Sequence, residues 1–243
     1  MRDARAQSEP LQLTGVDLRV LAGVHPWYAD NRVAIERFWA EEVCRRPFLY
    51  NGFVVLFEPP HMAAGRLTAK GYVTPYAGLL YFLAEGARTE GAKAAGVCHL
   101  FGAPALSSSD GALLLVRMAA RTANAGRIYA PSGSLDDSDV VAGRADLNAN
   151  MQREVFEETG LDLKQARAEP GFLLFRDGAI CTLVRRYHMP ESAAALERRV
   201  RAFIAQQDDA EIDDVVMIGA AEEISAAMPS YIRRYIEFHF VRS

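Results

Sequence analysis

The stretch REVFEETGLDL, residues 153–163, fixes where one helix must end and loads that end with acid. Glu154, Glu157 and Glu158 stand at i, i+3 and i+4, so a helix carries all three carboxylates on one side. Each like-charged pair costs an isolated helix ~0.2–0.5 kcal/mol. Thr159-Gly160 reads as the stop, with Gly160 free to take the left-handed cap. The acids therefore sit at the negative end of the helix dipole, where anions are disfavoured a second time. Upstream, Asp146 is a natural N-cap. Leu147, Met151 and Val155 at i, i+4 and i+8 give the helix a buried stripe, and the carboxylates lie off it.

Two readings account for such a cluster. A solvated acidic helix end is the commoner outcome on local composition alone. A hard divalent cation is the other, because Mg²⁺ takes carboxylate oxygens together with substrate phosphates and water. The ion turns repulsion into attraction and neutralises the wrong-ended dipole. Arg153 can pair with Glu157 at i+4, which orients one carboxylate without satisfying the group. The doubled electrostatic penalty favours the cation.

At REVFEETGL the sequence resembles the Nudix box, Arg-Glu-(apolar)-x-Glu-Glu-x-Gly-(apolar), at each defined position, and APSGSLD is similar to the glycine-containing loop that opens the box. Taken over roughly residues 95–240, the resemblance implies an α/β (α+β) chain built on a Nudix-type α/β/α sandwich with a mixed sheet. The hydrolase domain is expected at 95–243, preceded at 1–94 by a mixed, β-rich N-terminal subdomain. The implied activity is hydrolysis of a nucleoside diphosphate linked to another moiety. Carried over by position, Glu154, Glu157 and Glu158 look like ligands of Mg²⁺ or Mn²⁺, one of them handling the proton of the attacking water. Arg153 looks like the residue that orients them, and a carbonyl of the Ser132-Gly133 turn is similar to the family's backbone ligand. The chain departs from the pattern upstream. A glycine is expected fourteen residues before Arg153 and a glutamate eight before it, where this chain has Asp139 and Ala145. With Gly133 as the loop glycine, the loop is six residues longer than the pattern. A loop of that length is expected to pack over or beside the cation and to help select the substrate. The segment RRPFLYNGFVVLF is more faintly similar to the region before the box in nucleotide-sugar diphosphatases, which implies a nucleoside diphosphate sugar as substrate. The alternatives are ADP-ribose, a dinucleotide or a coenzyme A derivative, and, from another class, a catalytically silent nucleotide-binding module. The intact glutamate set speaks against silence.

Other candidates are less specific. Glu211, just before IDDVVMI, is chosen as the acidic residue that a later loop adds to such sites, although a solvated strand edge is as ordinary a reading. Arg117 and Arg121, at the end of LLLVRMAAR, could reach substrate phosphate bidentately. The five histidines lack ligand-like spacing, and Cys44, Cys98 and Cys181 form no CxxC pair, so buried free thiols are expected in a cytoplasmic protein. A net charge of −4 gives no footprint for a nucleic-acid polymer, and no run approaches the ~18 apolar residues of a membrane span. The expected partner is a small nucleotide, with a homodimer left open.

The periodicities place a loose lead-in over residues 1–15 and a helix over 30–46 capped by Asp30. Strands are expected at 53–57, around Tyr72, at Leu79–Leu83, and on either side of the 107–111 loop. A hairpin is expected about Asp177-Gly178, then a helix over 192–207, a strand from Glu211, and closing helices broken at Pro229.

Overall fold

The computed structural model describes residues 9–85 and 96–241. The chain opens with β1 (Leu11–Leu13), β2 (Gly15–Leu21), α1 (Pro26–Arg45), β3 (Phe53–Phe57), β4 (His61–Ala63), β5 (Arg66–Pro75) and α2 (Tyr76–Ala84). It continues with β6 (His99–Ser107), β7 (Leu113–Met118), β8 (Ile128–Tyr129), β9 (Val140–Val141), β10 (Arg144–Ala145) and α3 (Leu147–Thr159). The last elements are β11 (Arg167–Ala168), β12 (Phe172–Asp177), β13 (Ile180–His188), α4 (Ala193–Ile204), β14 (Ile212–Ile218) and α5 (Ser230–Val241).

Apolar runs in β6, β7, β12 and β13 have no polar face because both sides of their sheet are covered. Leu100, Leu106, Leu114 and Leu183 enter one core with Met151 and Val155 of α3 and Leu196 and Val200 of α4. Ala103, Leu113, Phe175 and Val184 enter the other with Ile232, Tyr235 and Ile236 of α5. The sheet runs β1-β12-β13-β6-β7-β14, with β8 on β7 and β11 on β13. It is mixed: β13 lies parallel to β6, and β12, β7 and β14 are antiparallel to their neighbours. Helices on both faces make the α/β/α sandwich that the motif implied.

A second sheet runs β3-β5-β2-β10-β9, with β4 on β5. The expected boundary at 94/95 lies outside the described residues, and strands from both sides of it share both sheets: β1 pairs with β12, and β10 with β2. The sheets are also joined by the Val55 N–H donating to the Leu135 carbonyl at 2.7 Å, and by two backbone bonds between Phe57 and Cys98 at 2.9 and 2.6 Å.

Three sequence expectations are corrected here. Of the segment read as a loose lead-in, residues 1–8 lie outside the described residues, and Leu11–Leu13 form a strand, because β1 completes the edge of the large sheet. The first helix begins at Pro26, not near Asp30. Proline at the first helical position brings a preset φ and lacks only an N–H that would have no partner, and His25 Nδ1 accepts from Trp27 N at 3.2 Å. The piece at Leu79–Leu83 is helical, since a short apolar run carries no period that separates a buried helix from a buried strand. Pro75 starts that helix, Asn51 Oδ1 accepts from Ala77 N at 2.8 Å, and Leu79 and Phe82 pack with Val54 and Leu56.

Candidate active site

Helix α3 is built as its residues dictate. Asp146 accepts from Asn148 N and Ala149 N, both at 3.0 Å, and Gly160 ends the helix at φ 67°. No other residue serves at Gly160, because a β-carbon would also stand 2.5 Å from the Phe203 ring of α4. Burial of Leu147, Met151 and Val155 contributes about 1.5–3 kcal/mol each and fixes the helix's rotation. That rotation turns Glu154 and Glu158 inward and leaves Glu157 outward. Glu158 is 6% exposed and its Oε2 has no hydrogen-bond partner among the described residues. The Glu154 side chain is 13% exposed, that of Glu157 56%.

The environment opposes charge on both inner carboxylates. Burial lifts Glu154 to about 7; Arg153 works against the rise, and Glu157, Glu211 and Asp139 add to it. Burial, then the charges of Glu154 and Glu211, push Glu158 well above the carboxylate range, against a backbone interaction with Ser132. Gly133 faces Glu154 so closely that a β-carbon there would lie 2.4 Å from the carboxylate. Glu154, Glu158, Gly133 and Glu211 line one cleft of about 410 Å³.

Arg153 gathers four carboxylates. One guanidinium nitrogen meets Glu154 at 2.8 Å and Glu157 at 3.2 Å; the other meets Asp139 at 3.1 Å and Asp136 at 3.5 Å. With Glu154 and Glu157 drawn to Arg153, no three His, Cys, Asp or Glu side chains among the described residues form a ready cation cage. The donor chemistry still fits a hard divalent ion: Glu158 is buried with an unpartnered oxygen, and the largely covered Glu154 stands against a glycine turn that leaves room for nothing larger than hydrogen.

The two arginines expected at phosphate are elsewhere. Arg117 is bound to Asp213 at 2.6 Å and Asp214 at 3.6 Å across β7 and β14, and Arg121 is an exposed side chain 4.0 Å from Asp209. Among the described residues, the guanidinium groups on the cleft are those of Arg127, Arg176 and Arg234. Sequence reasoning missed them because they come from β12, α5 and the β7–β8 connection, which only the fold brings to the motif. It also missed Tyr129, whose phenol burial and the Glu158 charge hold protonated, and the wall that Phe53, Val54 and Leu83 from the first third of the chain form beside Tyr76.

The extended loop meets its expectation in part. Only its first part reaches the cleft, through Gly133, Ser134 and Asp136. Beyond Asp139 it forms the hairpin β9–β10, turning at Ala142 and Gly143 with φ 49° and 73°, and β10 pairs with β2. Arg144 there is salt-bridged to Asp17. The added residues extend the second sheet.

No protein-family model matches the chain, and no curated protein matches it. Among solved structures it is similar to a MutT protein from Methanosarcina mazei Go1, with 18% identity and a TM-score of 0.40, over 59% of this chain and 93% of that one. A Nudix hydrolase from M. smegmatis, RenU, is similar over 59% of this chain and 83% of its own, with 11% identity and a TM-score of 0.38. The E. coli ORF135 protein is similar over 60% and 91%, with 14% identity and a TM-score of 0.36.

Proposed function

We propose that the chain is a Nudix-type pyrophosphohydrolase that splits a nucleoside diphosphate sugar into a nucleoside monophosphate and a sugar phosphate. The observation that carries the reading is a buried Glu158 beside a largely covered Glu154, which is held against Gly133, within a cleft that also presents arginines and aromatic rings. Buried carboxylates with a third acid nearby are costly unless a cation meets them. Glu154 and Glu158 would hold Mg²⁺ or Mn²⁺, with Glu157 and a carbonyl of the Ser132-Gly133 turn as further oxygen donors. When bound, such an ion acidifies a water and withdraws charge from phosphate oxygens.

The chain's own residues supply the rest. Arg127, Arg176 and Arg234 line the cleft as counter-charges for the diphosphate. Water oxygen adds to phosphorus as the bridging P–O bond breaks, and the water's proton passes to a carboxylate that Arg153 does not hold, Glu158 or Glu211. The wall of Phe53, Tyr76 and Leu83 excludes water and faces the organic part of the substrate.

A panel of nucleotide sugars, ADP-ribose, dinucleotides and coenzyme A, followed by phosphorus NMR with and without Mg²⁺, tests the proposal. Two phosphomonoesters from a nucleotide sugar, formed only with the metal, are expected. Turnover of another member in preference would reassign the substrate. Binding without hydrolysis of any would make the chain a nucleotide-binding module.

A further inference from the structure

Tyr129 ends β8, three residues before Ser132. The strand is pinned to β7 by the pairs Val116–Tyr129 and Arg117–Ile128. The Tyr129 side chain packs against both cores of the large sheet, and the residue lines the cleft with Glu154, Glu158 and Glu211. At its hydroxyl, Asn124 Nδ2 donates to the phenol oxygen at 3.2 Å. An amide nitrogen only donates, so the phenol keeps its own proton for another acceptor. Among the described residues no acceptor stands at hydrogen-bond distance from it. Asn124 is itself held, within the β7–β8 connection. Gly126 N donates to Met118 O at 2.9 Å and Arg127 N to Asn124 O at 3.0 Å, while Arg46 Nη1 of the first helix's end donates to Ala123 O at 3.4 Å. The phenol is thus fixed as a neutral donor on a cleft otherwise lined by acids and arginines.

We propose that Tyr129 is a further catalytic residue, whose O–H donates to a phosphate oxygen of the bound diphosphate while Asn124 holds the hydroxyl in place. The inference rests on the hydrolase reading above. A phenol suits this wall of the cleft. It adds no charge beside Glu154, Glu158 and Glu211, yet a hydrogen bond to an anionic oxygen is about twice as strong as one between neutral groups. Its direction is set before the substrate arrives, so nothing need reorganise as charge builds on the phosphate oxygens. The proton stays on the phenol: a hydrogen bond forms and no proton is transferred.

The test pairs Tyr129→Phe, which removes the hydroxyl and keeps the ring, with Asn124→Ala on the exposed turn. Binding of methylenediphosphonate, a diphosphate mimic with neither base nor sugar, is measured by calorimetry in Mg²⁺, beside turnover of a nucleotide sugar. Tyr129→Phe should lower kcat/KM by about 10–100-fold and weaken the mimic by about tenfold. Its metal-free melting temperature, and the rise that Mg²⁺ produces, should match the wild type. Asn124→Ala should give a smaller loss, and in the Tyr129→Phe background less than about a twofold one. Wild-type binding and turnover in Tyr129→Phe would overturn the proposal. So would a loss accompanied by lower melting or an altered response to Mg²⁺, which marks a structural tyrosine. Equal losses from Asn124→Ala in both backgrounds would overturn its part in holding the phenol. A wild-type protein that hydrolyses no nucleotide, yet binds the mimic more tightly than Tyr129→Phe does, would refute the hydrolase reading and uphold the phosphate contact.

Discussion

The α-carbon of Gly133 faces the carboxylate of Glu154 at a distance that leaves no room for a methyl group, a β-carbon there falling 2.4 Å from the carboxylate. One residue comes from the loop after β8 and the other from the last turns of α3. Their contact sets where that carboxylate can be.

Gly133→Ala therefore separates activity from stability. The displaced group is the far end of a flexible side chain, so the melting temperature should fall by only a few degrees, about 1 kcal/mol. Misplacing a cation ligand should lower kcat/KM by roughly a hundredfold or more. Melting and turnover on the same preparation decide it, and an active Gly133→Ala would separate Glu154 from the chemistry.

Without metal, the pH dependence should run opposite to that of an ordinary ion-paired carboxylate. Glu154 is raised from 4.5 to about 7, mainly by burial, so the fold favours its protonated form. Its contribution is fully present below pH 4.5 and is lost as pH rises through about 7, a change on the order of 3 kcal/mol. Denaturant unfolding in chelator from pH 4.5 to 8 should show this decline, and Glu154→Gln should flatten it. Saturating Mg²⁺ should remove it in the wild type.

Arg117 and Arg127 make a second contrast. Arg117→Ala loses ion pairs on an exposed strand edge, worth about 0.2–1 kcal/mol, and should leave KM within about twofold. Arg127→Ala removes a guanidinium that lines the cleft and should raise KM by about tenfold with little change in melting. Steady-state kinetics of the pair would show which one meets the substrate.

The helix that carries the acidic cluster was legible in the sequence from cap to stop. The cap at Asp146, the stripe Leu147–Met151–Val155 and the stop at Gly160 all follow from helical spacing. The hairpin at Asp177-Gly178 and the strand at 53–57 followed from turn chemistry. What could not be read was set by tertiary pairing. Leu79–Leu83 has no period to betray a helix buried on both sides, β1 is a strand only because β12 offers an edge, and Arg176 and Arg234 reach the cleft only once β12 and α5 are packed. Burial, too, distinguished three glutamates that the sequence presents as equals.

The extended loop was expected to pack over or beside the cation and to help select the substrate; its start lines the cleft, and its hairpin joins the second sheet. Deleting the hairpin, the six residues 140–145, should therefore cost stability, about 2 kcal/mol or ~4–8 °C, because β10 no longer lies on β2 and the Arg144–Asp17 pair is lost. The ranking of substrates should be unchanged. A reordered ranking at an unaltered melting temperature would return the loop to the cleft.

The most direct measurement is hydrolysis of a nucleoside diphosphate sugar by wild type and Glu158→Gln at saturating Mg²⁺, with metal-free melting of the same two preparations. Glu158 is the most deeply buried of the three carboxylates and keeps an oxygen without a partner among the described residues, so removing its charge relieves the fold while removing the proposed ligand. We expect phosphomonoester release to fall by at least about a hundredfold while the melting temperature stays level or rises. A Glu158→Gln protein that melts lower and hydrolyses at the wild-type rate would contradict the cation site.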